Sequence, residues 1–247
     1  MLKLLKHIGK YFILMRQVFA EPEKKSIYYK KIVYEMHSLG VQSIGIVLII
    51  SLFMGAAITI QTAYNIENPL LPRYLIGVGA RDSMLLEFSS TMVALILSGK
   101  VGSSIASELG TMRITEQIDA LEIMGVNSAS YLILPKIIGL MLFNPILTIL
   151  SMFVGISGGF IVAIFTGVTT AEEYIYGIQY VFIPFYVVYA LIKAIVYAFL
   201  ITSISAYHGY HAPGGAVEVS RSSTRAVVHS SVFILMFNLI LTQLLLS

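Results

Sequence analysis

Apolar residues run along this chain in long blocks separated by short polar connections. Val41 to Tyr64 gives 24 residues without a charge. Ser83 to Ser107 is apolar apart from Glu87 and Lys100. Ile137 to Phe165 gives 29 uncharged residues around Asn144-Pro145, and Ile178 to Ala206 gives 29 with one charge, Lys193. Ala226 to Ser247 gives 22, with His229 near its start. A membrane-crossing helix needs about 20 mainly apolar residues, so the pattern predicts five spans. The third and fourth exceed the requirement, which implies tilt, a kink at Pro145 or Pro184, or extension past the bilayer. Gly155 and Gly159 form a GxxxG pair, a spacing that lets helices approach closely.

The first forty residues differ in pattern. In MLKLLKHIGKYFILMRQVFA, Leu4, Leu5, Ile8, Phe12 and Met15 recur at helical spacing, with Lys3, Lys6, Lys10 and Arg16 between them. A cleavable signal needs roughly 7–15 unbroken apolar residues, and the lysines prevent that here. Residues 1–40 therefore read as a basic amphipathic region lying on a membrane surface, and 41–247 as the spanning part. The fold class is an all-α integral membrane protein.

Composition agrees. Hydrophobic residues make up 57% and charged residues 12%, against about 25% charged in soluble domains; mean hydropathy is +0.85. Cysteine is absent, which excludes disulfides, thiol chemistry and Cys-based metal sites. A net charge of +3 gives no reason to expect nucleic acid as a partner. The placement of charge says more than its sum. Residues 1–40, 100–136 and 207–225 hold thirteen of the sixteen Lys and Arg residues, and a five-span topology puts these regions on one side. The positive-inside rule makes that side cytoplasmic, with the N-terminus inside and the C-terminus outside.

ELGTMRITEQIDALEIMG (108–125) then lies in the cytoplasm between spans two and three. A single helix is predicted at about 111–125. Ile114, Ile118 and Leu121 form an apolar stripe, and Glu116, Asp119 and Glu122 an acidic flank; Gly125 is a stop signal. The spacing fits a loop helix resting on its own bundle with solvated acids. It fits equally a docking helix whose acids face a soluble partner. An ionisable group within a span costs about 2.5–3.5 kcal/mol on insertion scales. Glu87, about one turn into span two, and Lys193, near the middle of span four, are therefore either structurally placed or part of a polar spot in a lipid cavity. Asn238, in the last span, is expected to bond across helices. The histidines lack metal-ligand spacing, and Gly and Pro near His208 and His211 argue for a loop there. No catalytic constellation stands out, and no G-x-x-x-x-G-K-[ST] phosphate loop is present.

GKVGSSIASELGTMRITEQIDALEIMGV (99–126) closely resembles the signature of the MlaE permease family, the membrane subunits of ABC transporters that work with MCE proteins. Gly99, Lys100, Gly102, Ser107, Glu108, Gly110, Met112, Arg113, Thr115, Glu116 and Gln117 fit its pattern. GYHAPGGAVEVSRSSTRAVVHSS (209–231) resembles the family's loop between spans four and five, and FMGAAITIQ (53–61) keeps Phe53, Gly55 and Gln61 of span one. The resemblance covers residues 40 to 247. There are departures. Where the family has Arg-Glu-Leu-Gly-Pro, this chain reads Leu86-Glu87-Phe88-Ser89-Ser90; a usual loop Gly is Glu218; an acid of the last span is Asn238.

The resemblance implies that 108–125 is a coupling helix for a cytoplasmic ATPase, with Glu108, Arg113, Thr115, Glu116, Gln117, Asp119 and Glu122 at or near the contact. It implies a lipid site between spans one, two and five near the outer leaflet, with Tyr64 and Asn65 in that region; Glu87, Lys193 and Asn238 are the intramembrane polar candidates read from the residues themselves. It also implies a homodimer in the bacterial inner membrane, a periplasmic MCE ring, a small STAS-type accessory protein and a phospholipid substrate moved between inner and outer membranes. ATP and Mg would be bound by the partner ATPase, with no cofactor and no enzymatic site on this chain. Two other readings stay open on the residues alone. One is an ion-gradient-driven transporter or channel using Glu87 and Lys193; the other is a membrane scaffold that moves nothing.

Overall fold

The computed structural model describes the backbone of residues 2–20, 25–66 and 71–246, with side chains beginning at residue 5 in the first of these segments and residue 28 in the second. The side chains of Lys3 and Leu4, and of residues 21–27 in the basic N-terminal region, lie outside the described residues. The described chain is helical, without strands. Eleven α-helices follow in order: α1 (Leu2–Phe19), α2 (Lys25–Glu35), α3 (Ile44–Asn65), α4 (Leu75–Ser83), α5 (Val93–Leu97), α6 (Ser103–Ile114), α7 (Gln117–Ile123), α8 (Ser128–Thr166), α9 (Ala171–Gln179), α10 (Phe185–Tyr210) and α11 (Ala216–Leu246). Wider π-helical turns at Met36–Gly40, Met84–Met92 and Ser98–Gly102 join several of these into longer rods.

Five continuous helices are long and apolar enough to cross a membrane: Tyr28–Asn65, Leu75–Ile114, Ser128–Thr166, Phe185–Tyr210 and Ala216–Leu246. The first three have 38, 40 and 39 residues. At about 1.5 Å per residue they greatly exceed a hydrocarbon core of about 30 Å, so their ends project beyond it. The expected bounds shift accordingly. Span two begins at Leu75, which puts Glu87 about three turns in rather than one. Span four begins at Phe185, not Ile178, because Pro184 ends the turn before it and 171–179 folds as the separate helix α9. α8 runs unbroken through Pro145. α10 runs through His208, which places that residue on a helix and not in a loop.

The chain divides into two compact units. One comprises Met1–Gln42, Ala94–Phe143 and Val196–Ile240. In it, α1 turns Leu14, Met15 and Val18 inward and leaves Leu5, Ile8 and Phe12 exposed. Tyr11 donates to Ser203 Oγ (2.9 Å), and burial raises its phenol pKa. His7 Nδ1 lies 2.8 Å from Tyr207 Oη. Small residues bring the rods together: a Cβ on Gly209 would press on the backbone of Ala106, and one on Gly40 would meet the ring of Phe143. His208 and His229 join α10 to α11 through a 2.8 Å nitrogen–nitrogen hydrogen bond.

The other unit comprises Ser43–Val93, Asn144–Ile195 and Leu241–Ser247. Its core is the close crossing of α3 and α8 that the GxxxG pair predicts. A Cβ on Gly55 would collide with the Gly155 carbonyl, and one on Gly158 with the Leu52 carbonyl. Ser51 Oγ donates to Ser151 Oγ across this contact at 2.7 Å. Arg81 is buried and ends α9: its Nη1 donates to the carbonyls of Ile178 (2.8 Å) and Tyr180 (2.7 Å), while Nε pairs with Asp82 at 2.8 Å. A cation suits this position because the last carbonyls of a helix carry its partial negative charge. α9 opens on a capping box: Thr170 accepts from the Glu173 amide, and Glu173 accepts from the Thr170 amide.

Candidate functional site

Two groups of residues carry chemistry, one in each unit. The first is the corner between the second and third spans. A single helix over 111–125 is not what forms. α6 ends at Ile114, and Glu116 adopts a left-handed conformation (φ 59°) before the seven-residue α7 begins. No glycine or proline at 115–116 signals this break, and a non-glycine residue rarely takes that conformation. The apolar stripe nonetheless faces inward: Ile118 is fully buried, with Ile114 and Leu121 half-buried. Gly125 supplies the expected stop, at φ 77°.

The acids of this corner divide into held and free. Arg113 Nη1 pairs with Asp119 Oδ1 at 2.6 Å. Glu122 Oε1 accepts from Ser128 Oγ and Tyr210 Oη, both at 3.0 Å. Glu108 accepts from Lys136 Nζ through both oxygens, at 2.9 and 2.8 Å. Gln117 donates to Thr115 Oγ1 at 3.0 Å. Glu116 is exposed, and among the described residues its side chain makes no hydrogen bond or ion pair. Beside it the sequence reading missed an apolar surface. Ile123 is 87% exposed and Met124 67%, and both lie outside the five spans. Their side chains fall off the 114–118–121 stripe, which is the signal available in the sequence.

The second group is a polar network inside the spans. Lys193, fully buried, donates to Glu87 Oε1 (3.1 Å), the Leu86 carbonyl (3.1 Å) and Tyr189 Oη (3.0 Å). Glu87 also accepts from Thr91 Oγ1 (3.1 Å) and Thr242 Oγ1 (3.4 Å), and Tyr189 Oη meets Thr242 Oγ1 at 2.7 Å. Helices α10 and α11 and the π-helical segment of span two thus meet at one ion pair. π-helical turns inside α-helices are common at functional sites, and this one carries Glu87 itself. Tyr189 stands four residues before Lys193 and Thr91 four after Glu87, spacings that place each pair on one helix face. Thr242 has no such sequence signal. The carboxylate side chain is 39% exposed, so one side of the pair is open at the surface of the span.

Asn238 Oδ1 accepts from Tyr197 Oη at 2.9 Å, a bond between α11 and α10. Tyr64 and Asn65 are exposed at the end of α3. Among the described residues no cluster of three or more His, Cys, Asp or Glu groups could hold a metal.

The profile of the family described as Permease MlaE matches residues 32–244. A protein of Rickettsia bellii named a probable ABC transporter permease is 32% identical over 243 residues, covering 98% of this chain and 93% of its own length. The intermembrane phospholipid transport system permease protein MlaE of Haemophilus influenzae is 30% identical over 235 residues, 95% of this chain and 89% of its own. The chloroplastic protein trigalactosyldiacylglycerol 1 of Arabidopsis thaliana is 31% identical over 240 residues, 94% of this chain and 66% of its own. With five membrane-crossing helices and a profile match across nearly all of them, this chain is a multi-pass membrane protein that belongs to the MlaE permease family of ABC transporter permeases.

Proposed function

We propose that the chain is the membrane subunit of an ATP-driven phospholipid transporter in the bacterial inner membrane. It works as a homodimer beneath a periplasmic MCE ring and is driven by separate ATPase subunits that bind ATP and Mg on its cytoplasmic side; a small STAS-type protein is a further partner. The observation that carries the reading is the corner at α7. Ile118 anchors a short helix, while Glu116, Ile123 and Met124 are left exposed outside the spans. Exposed apolar side chains next to an unpaired acid, away from lipid, suit a protein contact more than water. The left-handed Glu116 fixes the angle at which α7 leaves span two, so a push on α7 reaches the span as a rigid movement.

The Lys193–Glu87 pair then serves the lipid path. A buried ammonium beside a carboxylate open at the surface of the span can attract a phosphate headgroup or hold a gate closed. The name of the Haemophilus relative supports phospholipid as the substrate. An ion-gradient-driven transporter would use the same pair but leaves the α7 surface without a role. The test is reconstitution of the chain with its ATPase in vesicles that carry a fluorescent phospholipid. ATP-dependent lipid transfer, abolished when the ATPase is omitted, is expected. Transfer by the isolated chain under a proton or sodium gradient, without ATP, would overturn the reading.

A further inference from the structure

Lys136, on α8, is buried with a side chain only 3% exposed, and its ammonium is directed at two carboxylates from other helices. Nζ donates to Glu35 Oε1 at 2.8 Å and to the two oxygens of Glu108 at 2.9 and 2.8 Å. An ammonium has three protons to donate, so all three are committed. Glu35 closes α2, the helix that leads into the first span, and Glu108 lies in the last two turns of α6, before the α7 corner. One side chain therefore ties three separate rods together.

The two arms differ. The Glu35 side chain is 12% exposed and that of Glu108 is 49% exposed. Gly139 lies three residues on from Lys136, where an added Cβ would stand 3.1 Å from Glu35 Cβ and 3.2 Å from the Met36 amide. The α2–α8 contact is thus closely packed, and Glu35 would leave its lysine only by standing buried and unpaired, a costly state. Glu108 has water at hand, and an exposed ion pair is weak. With two carboxylates on one ammonium, the lysine keeps a partner when Glu108 departs.

We propose that Lys136 is the positioning residue that carries movement of the α6–α7 corner to α2: permanently paired to Glu35 and releasably paired to Glu108. The proposal rests on the ATP-driven reading above and names the link by which the corner's movement reaches the first span.

The experiment uses the full complex with its ATPase. Because the chain has no cysteine, spin labels can be placed on cysteines introduced at exposed Tyr34 of α2 and at exposed Thr111 of α6. In the unmodified complex the label distance is expected to change between nucleotide-free and ATP-trapped states. In Glu108→Gln, which keeps an acceptor and loses the charge, the readout is lipid transferred per ATP hydrolysed, so that a change in hydrolysis itself is divided out. The distance change should be lost and lipid transfer should fall roughly tenfold, within the usual range of a coupling loss. Glu108→Asp, which keeps the carboxylate on a shorter stem, should recover most of the transfer. Normal transfer and an unchanged distance shift in Glu108→Gln would overturn the proposal. So would equal loss of assembly in Glu108→Gln and Glu108→Asp, which would reduce the triad to a fold contact. If the unmodified complex shows no ATP-dependent transfer, the ATP-driven function itself fails, and the proposal with it.

Discussion

Replacing Lys193 with Met tests the intramembrane pair through stability as well as transport. The lysine is fully buried and makes three bonds of 3.0–3.1 Å. Methionine fills most of the stem's volume but removes all three. Tyr189 keeps Thr242, and Glu87 keeps Thr91 and Thr242, so neither is stranded. Breaking a buried ion pair costs about 3–5 kcal/mol; the two hydroxyl donors that Glu87 keeps reduce this to about 2–3 kcal/mol. At about 2–4 °C per kcal/mol for a chain of this size, the melting midpoint should fall by roughly 5–10 °C. Detergent-solubilised protein followed by size-exclusion after heating gives that midpoint. Glu87→Gln should cost more, about 3–5 kcal/mol, because it leaves the fully buried Lys193 ammonium without its counter-charge. The double variant should be less destabilised than the two single losses added, because the second change no longer breaks a pair. Lipid transfer by Lys193→Met should drop while the complex still assembles. A midpoint within about 1 °C of the parent together with normal transfer would show that the pair neither holds the spans nor serves the path.

Other predictions follow from the packing and the caps. Gly55→Ala should destabilise far more than Gly155→Ala, because the added methyl at 55 meets the Gly155 backbone while that at 155 meets the movable end of Met84; heating of the two variants side by side reads the difference. Arg81→Met should cost about 2–4 kcal/mol by stripping two carbonyls at the end of α9 of a charged donor, and should raise protease sensitivity around residue 180. Hydrogen bonds from the Thr170 amide and the Thr169 hydroxyl hold the Glu173 carboxyl below its ordinary pKa. Its contribution is therefore complete above the usual carboxylate range and fades as pH falls through the lower folded-state value. The stability gap between the parent and Glu173→Gln should accordingly close on acidification, and a gap that widens would contradict the assignment. Thr170→Ala should cost about 1 kcal/mol at neutral pH, measured by thermal unfolding.

The spans were readable because twenty apolar residues in sequence have few other uses. Their ends were not, because charge within a helix end looks the same in sequence as charge in a loop. Lys136 reads as a loop cation until Glu35, about a hundred residues earlier, is seen beside it. The Lys193 network was half legible: Tyr189 and Thr91 stand at helical spacing from the charged pair, whereas Thr242 comes from another helix. The break between α6 and α7 is not legible in the sequence, since nothing at Thr115 or Glu116 announces a left-handed turn. The close crossing of α3 and α8 was visible from Gly155 and Gly159, but Gly158, as tightly placed, lies outside the motif.

The most direct test of the account is a photo-reactive residue placed at Ile123 and irradiated in living cells. The account predicts a crosslinked partner that carries a glycine-rich phosphate-binding loop, with a yield that falls when Glu116 is replaced by Lys. Labelling of position 123 from the periplasmic side, or a crosslink to no nucleotide-binding protein, would contradict it.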